Sequence, residues 1–284
     1  MATVRPRVVA PAPLAEQAVP VEEEIRIEGR PSAWGRRESL IIGLVSVVAF
    51  LVAWQAVAFA RLVPELFLPG PTDIFNALGG LIRAGTIWRD LWVSGQELIY
   101  GYVLAIVLAL PLGLLMGWYK RVGYAVDPFV AFFYSTPRIV LVPLLIIWFG
   151  IGIYSKIAVV FLGAVFPMIV STMSGVRNVE PSLIKAAKSF GASDMQLFRT
   201  VVLPGAVPFI LTGLRLGIGH ALTGVVVGEL VAAQAGIGLM MATAGSTFQT
   251  SKVFAGMFII AGSGIALTIL LQKIEARFQS WKTS

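Results

Sequence analysis

The sequence predicts an all-α membrane protein with six transmembrane helices. Of its 284 residues, 57% are hydrophobic and only 13% are charged, whereas a soluble domain carries roughly 25% charged residues. Six apolar stretches are long enough to cross a hydrocarbon core of ~30 Å as helices of about 20 residues. They comprise residues 40–60, 91–116, 128–150, 155–174, 205–232 and 253–271.

The positions of the 22 lysine and arginine residues predict the orientation of these helices. Most of them flank the apolar stretches on the side that holds both chain ends. Because cytoplasmic segments carry an excess of lysine and arginine, both termini are expected in the cytoplasm. Residues 1–37, rich in proline and charge without a helical period, are expected to form a disordered cytoplasmic tail, and residues 38–284 the transmembrane domain. Residues 61–90 are expected to form an external loop along the membrane surface.

Several classes of function are disfavoured by residue content. There is no cysteine and only one histidine, which excludes thiolate metal sites and cysteine nucleophiles and leaves no metal site to expect. The basic residues lie between apolar runs rather than in one patch, so nucleic acid is not an expected partner. No Gly-Lys dipeptide occurs, and the chain therefore lacks a phosphate-binding loop for ATP. An enzyme would need catalytic groups at one membrane depth, and none is found.

A secondary transporter or channel is the alternative to an ATP-coupled protein. Such proteins commonly show inverted repeats or acidic residues deep in the membrane. No repeat is detected here, and only Glu97 and Glu229 lie inside the apolar stretches, both near an end. The alternative is therefore weakened but stays open at this point.

One polar loop, residues 178–204, carries the signals of two short helices. Pro181 suits a first helical position, and Gly191 suits the left-handed residue that ends a helix. Ser193 with Gln196 forms a capping-box pattern for a second helix, which Pro204 is expected to stop. The apolar residues at helical spacing are Leu183, Ala186, Ala187 and Phe190 in the first helix and Leu197, Phe198 and Val201 in the second.

This apolar face of the 178–204 loop needs a partner, and two interpretations are open. Another protein docks on it, or Phe190 and Phe198 pack against the ends of the chain's own helices. The spacing of the residues does not decide between them.

The loop resembles a known motif. Ala186 and Ala187 are followed by three residues and Gly191, and then by nine residues and Val-Val-Leu-Pro at 201–204. This is similar to the EAA loop of bacterial ABC-importer permeases, which usually reads Glu-Ala-Ala, three residues, Gly, nine residues, Ile, any residue, Leu-Pro. The resemblance extends from about Tyr100 to the C-terminus.

Three further segments carry the same resemblance: Pro-Leu at 143–144, Trp-Phe-Gly-Ile-Gly at 148–152 and Gly-Leu-Arg-Leu at 213–216. Together they resemble the branch that serves nitrate, sulfonates, taurine and related solutes. The resemblance implies a type I ABC-importer permease fold and a subunit that moves a small anionic solute across the cell (inner) membrane. It gives this chain no catalytic activity and no cofactor of its own.

The resemblance also implies partners. Two permease copies are expected to pair as a homodimer in membrane lipid, and an extracytoplasmic substrate-binding protein is expected to deliver the solute. A cytoplasmic ATP-binding subunit, which binds ATP and Mg, is expected to dock on the 178–204 loop. The docking candidates are Lys185, Ala186, Ala187, Phe190, Gly191, Phe198, Leu203 and Pro204.

Lys185 departs from the family pattern, which has an acidic residue at this position. The departure puts one charged contact with the ATP-binding subunit in doubt. Because an ion pair at an exposed rim contributes only ~0–1 kcal/mol, the apolar and glycine positions are expected to carry the docking.

Polar residues inside the apolar stretches are candidates for a solute pathway. Arg138, between Pro137 and Pro143, is costly in hydrocarbon, so it faces a wet cavity, pairs with an acid or reaches an interface. The lone His220 is compatible with a satisfied hydrogen-bonding group as well as with a pathway role. The pathway candidates are Ser135, Thr136, Arg138, Arg215, His220 and Glu229.

A stripe of small residues on the fifth stretch predicts close helix packing. It consists of Gly213, Gly217, Ala221, Gly224 and Gly228. The stripe packs either within the chain or along a homodimer seam or the pathway, and the family resemblance favours the second interpretation.

Overall fold

The computed structural model describes residues 33–279, and the elements within that range are helices. The predicted tail up to residue 32 lies outside the described residues, while residues 33–37 already belong to the first helix. The helices are α1 Ala33–Phe59, α2 Pro71–Ala84, α3 Thr86–Trp118, α4 Lys120–Ser135, α5 Val142–Phe149, α6 Ile153–Arg177, α7 Pro181–Ser189, α8 Asp194–Leu197, α9 Leu203–Ala232, α10 Ile237–Ser246 and α11 Thr250–Gln279.

Within the described residues, five helices are long and apolar enough to cross a membrane, and a bent pair makes a sixth candidate. The five are α1, α3, α6, the helix through α9, and α11. The bent pair, α4 with the segment 138–149, replaces the predicted third span. The all-α, six-span prediction is confirmed, and the continuous course of the third span is corrected.

Proline causes that correction. Thr136 and Pro137 are both extended, and the axes on either side differ by 94°. Pro137 has no N–H to donate and disfavours a helical conformation in the residue before it. A 3₁₀ turn, Arg138–Leu141, then restarts the chain into α5. The prediction of a single helix over residues 128–150 is therefore wrong.

The described chain divides into two units. In the first, residues 33–51 form the beginning of the continuous helix α1. The second unit, residues 52–279, holds the end of α1 and all the other helices. In this unit Trp54 Nε1 donates to the carbonyl of Pro69 at 3.1 Å, which ties the end of α1 to the entry into α2. The segment 61–90, predicted to be an external loop, thus contains a full helix, whose buried face includes Ile74 and Leu81.

The core of the second unit is built around α6, which packs between α3 and α9. On the α3 side the contact is made by small residues spaced four apart. These are Gly101, Ala105, Ala109, Gly113 and Gly117. A Cβ on Gly113 would lie 2.7 Å from the Cβ of Thr172, and one on Gly117 would lie 2.5 Å from the Cβ of Val176. The two helix backbones can approach only because these side chains are missing.

The predicted stripe on α9 makes the matching contact on the other side of α6. Its members are all buried. A Cβ on Gly213 would lie 2.9 Å from the Cβ of Ser171, and one on Gly224 would lie 3.0 Å from the Cα of Val160. The stripe therefore packs within the chain, which is the first of its two interpretations. Because α6 already covers this face of α9, a homodimer contact there would require α6 to move away.

Candidate functional site

The first half of the 178–204 loop folds as its local signals predict. The helix α7 begins at Pro181, and Gly191 has a φ of 77°, in the left-handed region. Both bonds of the capping box are formed. The Ser193 N–H donates to Gln196 Oε1 at 2.9 Å, and the Gln196 N–H donates to Ser193 Oγ at 3.4 Å.

The second half of the loop differs from the prediction, because Pro204 does not stop the helix. The chain is helical without interruption from Asp194 to Val231. Before the proline one turn widens into a π turn, Phe198–Val202, and the Leu203 N–H donates to the carbonyl of Phe198, five residues earlier. The wider turn leaves room for the proline ring, which would otherwise clash with the carbonyl four residues before it. The second half of the loop and the fifth span are thus one helix.

The apolar face of the loop divides between the two interpretations. Phe190 is 92% exposed, and Leu183 is exposed as well, so the first helix presents an apolar face that no described part of the chain covers. Phe198 instead packs on Trp118 at the end of α3, with ring centroids 5.3 Å apart. Lys185, Ala186 and Gly191 are exposed with Phe190, whereas Ala187, Leu203 and Pro204 are half-buried with Phe198.

Arg138 lies at the bend between α4 and α5 and meets α9. Its Nη1 is 3.0 Å from Nδ1 of His220. Two of the predicted pathway residues, 82 positions apart in the chain, are thus brought together. Both side chains are half-buried. Among the side chains that the structure describes, no carboxylate forms an ion pair with Arg138.

A cavity of about 340 Å³ opens at the bend, and Arg138 of this pair lines it. It is lined on one side by the end of α4 and on the other by α6 and α9. The polar lining residues are Tyr134, Ser135, Thr136, Arg138 and Thr223. The hydroxyls of Thr136 and Thr223 donate to the carbonyls of Phe132 and Gly219 within their own helices. Their lone pairs, rather than their protons, are therefore offered to the cavity.

Arg215 does not join this lining. It forms an ion pair with Glu275 of α11. This pair holds α9 and α11 together, and it removes Arg215 from any shared site with Arg138. The predicted pathway candidates therefore do not all lie in one site.

Glu229 lies in a second, separate polar site at the far end of α9. It is 0% exposed, and its carboxylate accepts from Ser94 Oγ and from the Gly238 N–H, each at 2.5 Å. Ser94 Oγ in turn accepts from the Ile237 N–H at 3.0 Å. Glu229 thus caps the N-terminus of α10, where unpaired N–H groups favour a negative charge.

Two further charged residues join Glu229 and were not predicted as site residues. Glu97 of α3 and Lys156 of α6 are 2% and 3% exposed, and both interact electrostatically with Glu229. Lys156 Nζ also donates to the carbonyls of Ile151 and Gly152, which fixes the turn between α5 and α6. All three residues lie near the predicted outer ends of their apolar stretches. This shared membrane depth was the sequence signal that could have grouped Glu97 and Lys156 with Glu229.

The fold and these features define a class before any comparison: a multi-span helical membrane protein with a polar-lined break in one span and a capped loop exposed at one end. Comparison with known proteins then gives the family. Residues 109–280 match the family described as "Binding-protein-dependent transport system inner membrane component", and the chain belongs to that family.

Two relatives illustrate the similarity. The taurine transport system permease protein TauC of Escherichia coli (strain K12) is 36% identical over 253 residues, which cover 87% of this chain and 90% of TauC. The putative aliphatic sulfonates transport permease protein SsuC of Bacillus subtilis (strain 168) is 33% identical over 249 residues, covering 88% and 90% of the two chains.

A solved structure confirms the fold. An inward-facing conformation of the MetNI methionine ABC transporter matches with a TM-score of 0.53 at 21% identity, covering 66% of this chain and 96% of that chain. The chain is accordingly the transmembrane permease subunit of an ATP-driven importer in the inner membrane. Its family works with a separate ATP-binding subunit and a substrate-binding protein, and the uncoupled alternative is not favoured.

Proposed function

We propose that this permease imports a small organic oxyanion of the sulfonate class and that Arg138 attracts it. The observation that carries the proposal is an arginine that pairs with no carboxylate within residues 33–279 and lies half-buried beside a cavity at the break of a span. A charge at membrane depth needs compensation, and an anionic solute supplies it. The relatives named for taurine and aliphatic sulfonates support the same class of solute.

Replacement of Arg138 tests this proposal. In proteoliposomes containing the permease, its ATP-binding subunit and its binding protein, we expect Arg138→Ala to lower the initial rate of taurine uptake about tenfold or more, because a hydrogen bond to a charged group contributes about 1.5–3 kcal/mol. Arg138→Lys keeps the charge without the planar fork, so its initial rate of uptake should lie between those of the native protein and Arg138→Ala. Arg215→Ala is the control that changes a cation outside the cavity. Unchanged uptake by Arg138→Ala at normal assembly would contradict the proposal.

We infer further that the 178–204 loop docks the ATP-binding subunit through the first helix. What supports this is the exposure of Phe190 on a loop that is rigidly capped on both sides of Gly191. Burying a phenylalanine side chain contributes roughly 1.5–3 kcal/mol, far more than a rim charge. Lys185 in place of an acidic residue is thus tolerated.

Two substitutions on the loop separate docking from folding. We expect Phe190→Asp to lower the amount of ATP-binding subunit that co-purifies with the permease by about tenfold or more, because a charge replaces an apolar anchor. Lys185→Glu should change it by less than about threefold. Lys188→Ala, on the same helix, is the matched control. Normal co-purification of the Phe190→Asp variant would reject this docking surface.

The remaining parts of the arrangement follow the family. We infer that two copies pair in the lipid bilayer, with both termini and the 178–204 loop in the cytoplasm and α2 on the external side. The excess of lysine and arginine on the side of both chain ends supports this orientation. The exposed Trp88 and Trp92 support a position of the first turns of α3 at a membrane interface, where tryptophan side chains concentrate. Labelling of single cysteines introduced at the two ends of α3 by a membrane-impermeant reagent tests the orientation.

A further inference from the structure

The contact between Arg138 and His220 determines the tautomer of the histidine. A guanidinium group has donors only, so the nitrogen that it meets must accept. Nδ1 of His220, 3.0 Å from Arg138 Nη1, is that acceptor, and the ring proton lies on Nε2. A doubly protonated ring would turn a second N–H and a second positive charge toward the guanidinium.

The pair therefore carries one positive charge. Among the described side chains, Tyr134 is the other titratable group that interacts with Arg138. The charged residues of α6 and α9 are engaged elsewhere. Lys156 and Glu229 belong to the cluster at the capped end of α10, Arg177 donates to the carbonyl of Met116, and Arg215 pairs with Glu275. Each chain thus presents a single uncompensated charge to the cavity.

The hydroxyls around the cavity supply no charge. Thr136 and Thr223 already donate to backbone carbonyls at 2.8 and 3.0 Å. The hydroxyls of Tyr134 and Ser135 complete the polar lining as neutral groups. One negative charge on an oxyanion is balanced by the guanidinium of Arg138, whereas a second meets only uncharged lining groups in a half-buried cavity and is destabilised.

We propose that His220 holds the guanidinium of Arg138 and so sets the charge that the site accepts: oxyanions with one negative charge are bound, and those with two are refused. The inference rests on the proposed function, because it requires that Arg138 meets the solute. His220 is a positioning residue that acts through Arg138. Through this role of His220, the permease itself discriminates between a sulfonate and a sulfate, independently of the selectivity of the binding protein.

Three variants of His220 separate these roles. In His220→Asn the amide oxygen stands the same number of bonds from the backbone as Nδ1 and can accept from Arg138. In His220→Leu no acceptor remains. His220→Lys places a second cation beside the first.

Binding is measured on the complex of permease and ATP-binding subunits in lipid nanodiscs, without binding protein. Saturation-transfer NMR reports bound ethanesulfonate, and methanesulfonate, sulfate and uncharged dimethyl sulfone are added as competitors. For the native complex we expect sulfate and dimethyl sulfone to compete at least about tenfold more weakly than methanesulfonate. His220→Leu should weaken ethanesulfonate binding about tenfold, and His220→Asn should stay within about twofold of native. His220→Lys should make sulfate the better competitor.

The outcomes distinguish the two proposals. Native binding of ethanesulfonate that disappears in Arg138→Ala but is unchanged in His220→Leu leaves the proposed function intact and overturns the role of His220. The role of His220 also fails if His220→Asn binds as weakly as His220→Leu, or if His220→Lys leaves the order of competitors unchanged. Absence of binding to the native complex, or binding unaffected by Arg138→Ala, removes the solute site and this inference with it.

Discussion

Replacing Gly113 by leucine is expected to prevent assembly of the permease. Gly113 lies where α3 crosses α6, and even a Cβ there would be 2.9 Å from the carbonyl oxygen of Ile169. Overpacking a tight site costs about 1–3 kcal/mol and occasionally more, and a leucine adds three carbons beyond the Cβ. We therefore expect Gly113→Ala to lower the free energy of unfolding by about 1–3 kcal/mol. Gly113→Leu should leave little folded protein in detergent extracts measured by size-exclusion chromatography.

Gly95 provides a matched control on the same helix. No atom outside the local helix lies within 4 Å of a Cβ built on Gly95. Gly95→Ala should therefore keep the stability of the native chain within about 0.5 kcal/mol, the usual range for an uncrowded position. If Gly95→Ala and Gly113→Ala lower the free energy of unfolding by the same amount, the loss stems from helix chemistry and not from the α3–α6 contact.

Replacing Gly236 by alanine is expected to release the capped end of α10. Gly236 has φ 127° and ψ 162°, a conformation that only glycine adopts readily, and a Cβ there would overlap the Glu229 carboxylate. Such backbone strain alone is of order 1–3 kcal/mol. Displacing a fully buried carboxylate from its donors adds about 3–5 kcal/mol when the charge is left without partners. We expect a fall in unfolding free energy of about 3 kcal/mol or more, measured as a lowered Tm of the purified complex.

The backbone contribution can be separated with Gly150, which has φ 76° and ψ −178° in a similar region. No atom lies within 4 Å of a Cβ at this position. Gly150→Ala thus introduces the strain without the collision, and its effect should stay within about 1–3 kcal/mol. Equal losses for the two variants would show that the Glu229 cluster contributes nothing measurable to stability.

The parts of this fold that could be predicted depend on interactions between residues close in sequence. The length of the apolar stretches fixed the number of spans, because a helix must satisfy all its backbone groups to cross a membrane. Pro181, Gly191 and the Ser193 capping box were correctly interpreted for the same reason, since each acts within one turn. None of these signals requires knowledge of which helices meet.

Two prolines show where local rules become insufficient. Pro137 breaks its span by 94°, although the apolar run around it is long enough for one helix. Pro204, expected to end a helix, is accommodated by a π turn. The rule that proline disrupts a helix is the same in both cases. The outcome depends on whether the preceding turn can widen while its neighbours remain packed, which the sequence around the proline does not specify.

The candidate site shows the same limit. Arg138, His220 and Glu229 were each recognisable as polar residues inside apolar stretches. Their grouping was not, because it depends on the rotation of α9 relative to α3 and the bend. That rotation places His220 beside Arg138 and Glu229 beside Glu97, and it directs Arg215 toward α11. Likewise, Phe190 and Phe198 have equal apolar character, and only the position of Trp118 decides which of them is covered.

The uninterrupted helix from Asp194 to Val231 has a mechanical consequence. With a rise of 1.5 Å per residue, His220 stands roughly 33 Å along the axis from Phe198. If the helix moves as a rigid rod, a tilt of about 10° at the loop end displaces His220 by roughly 6 Å. A small rotation imposed at one end is thus enlarged into a displacement greater than the 3.0 Å between His220 and Arg138. The π turn lies at the loop end of this rod, so any bending there reduces the displacement that reaches His220.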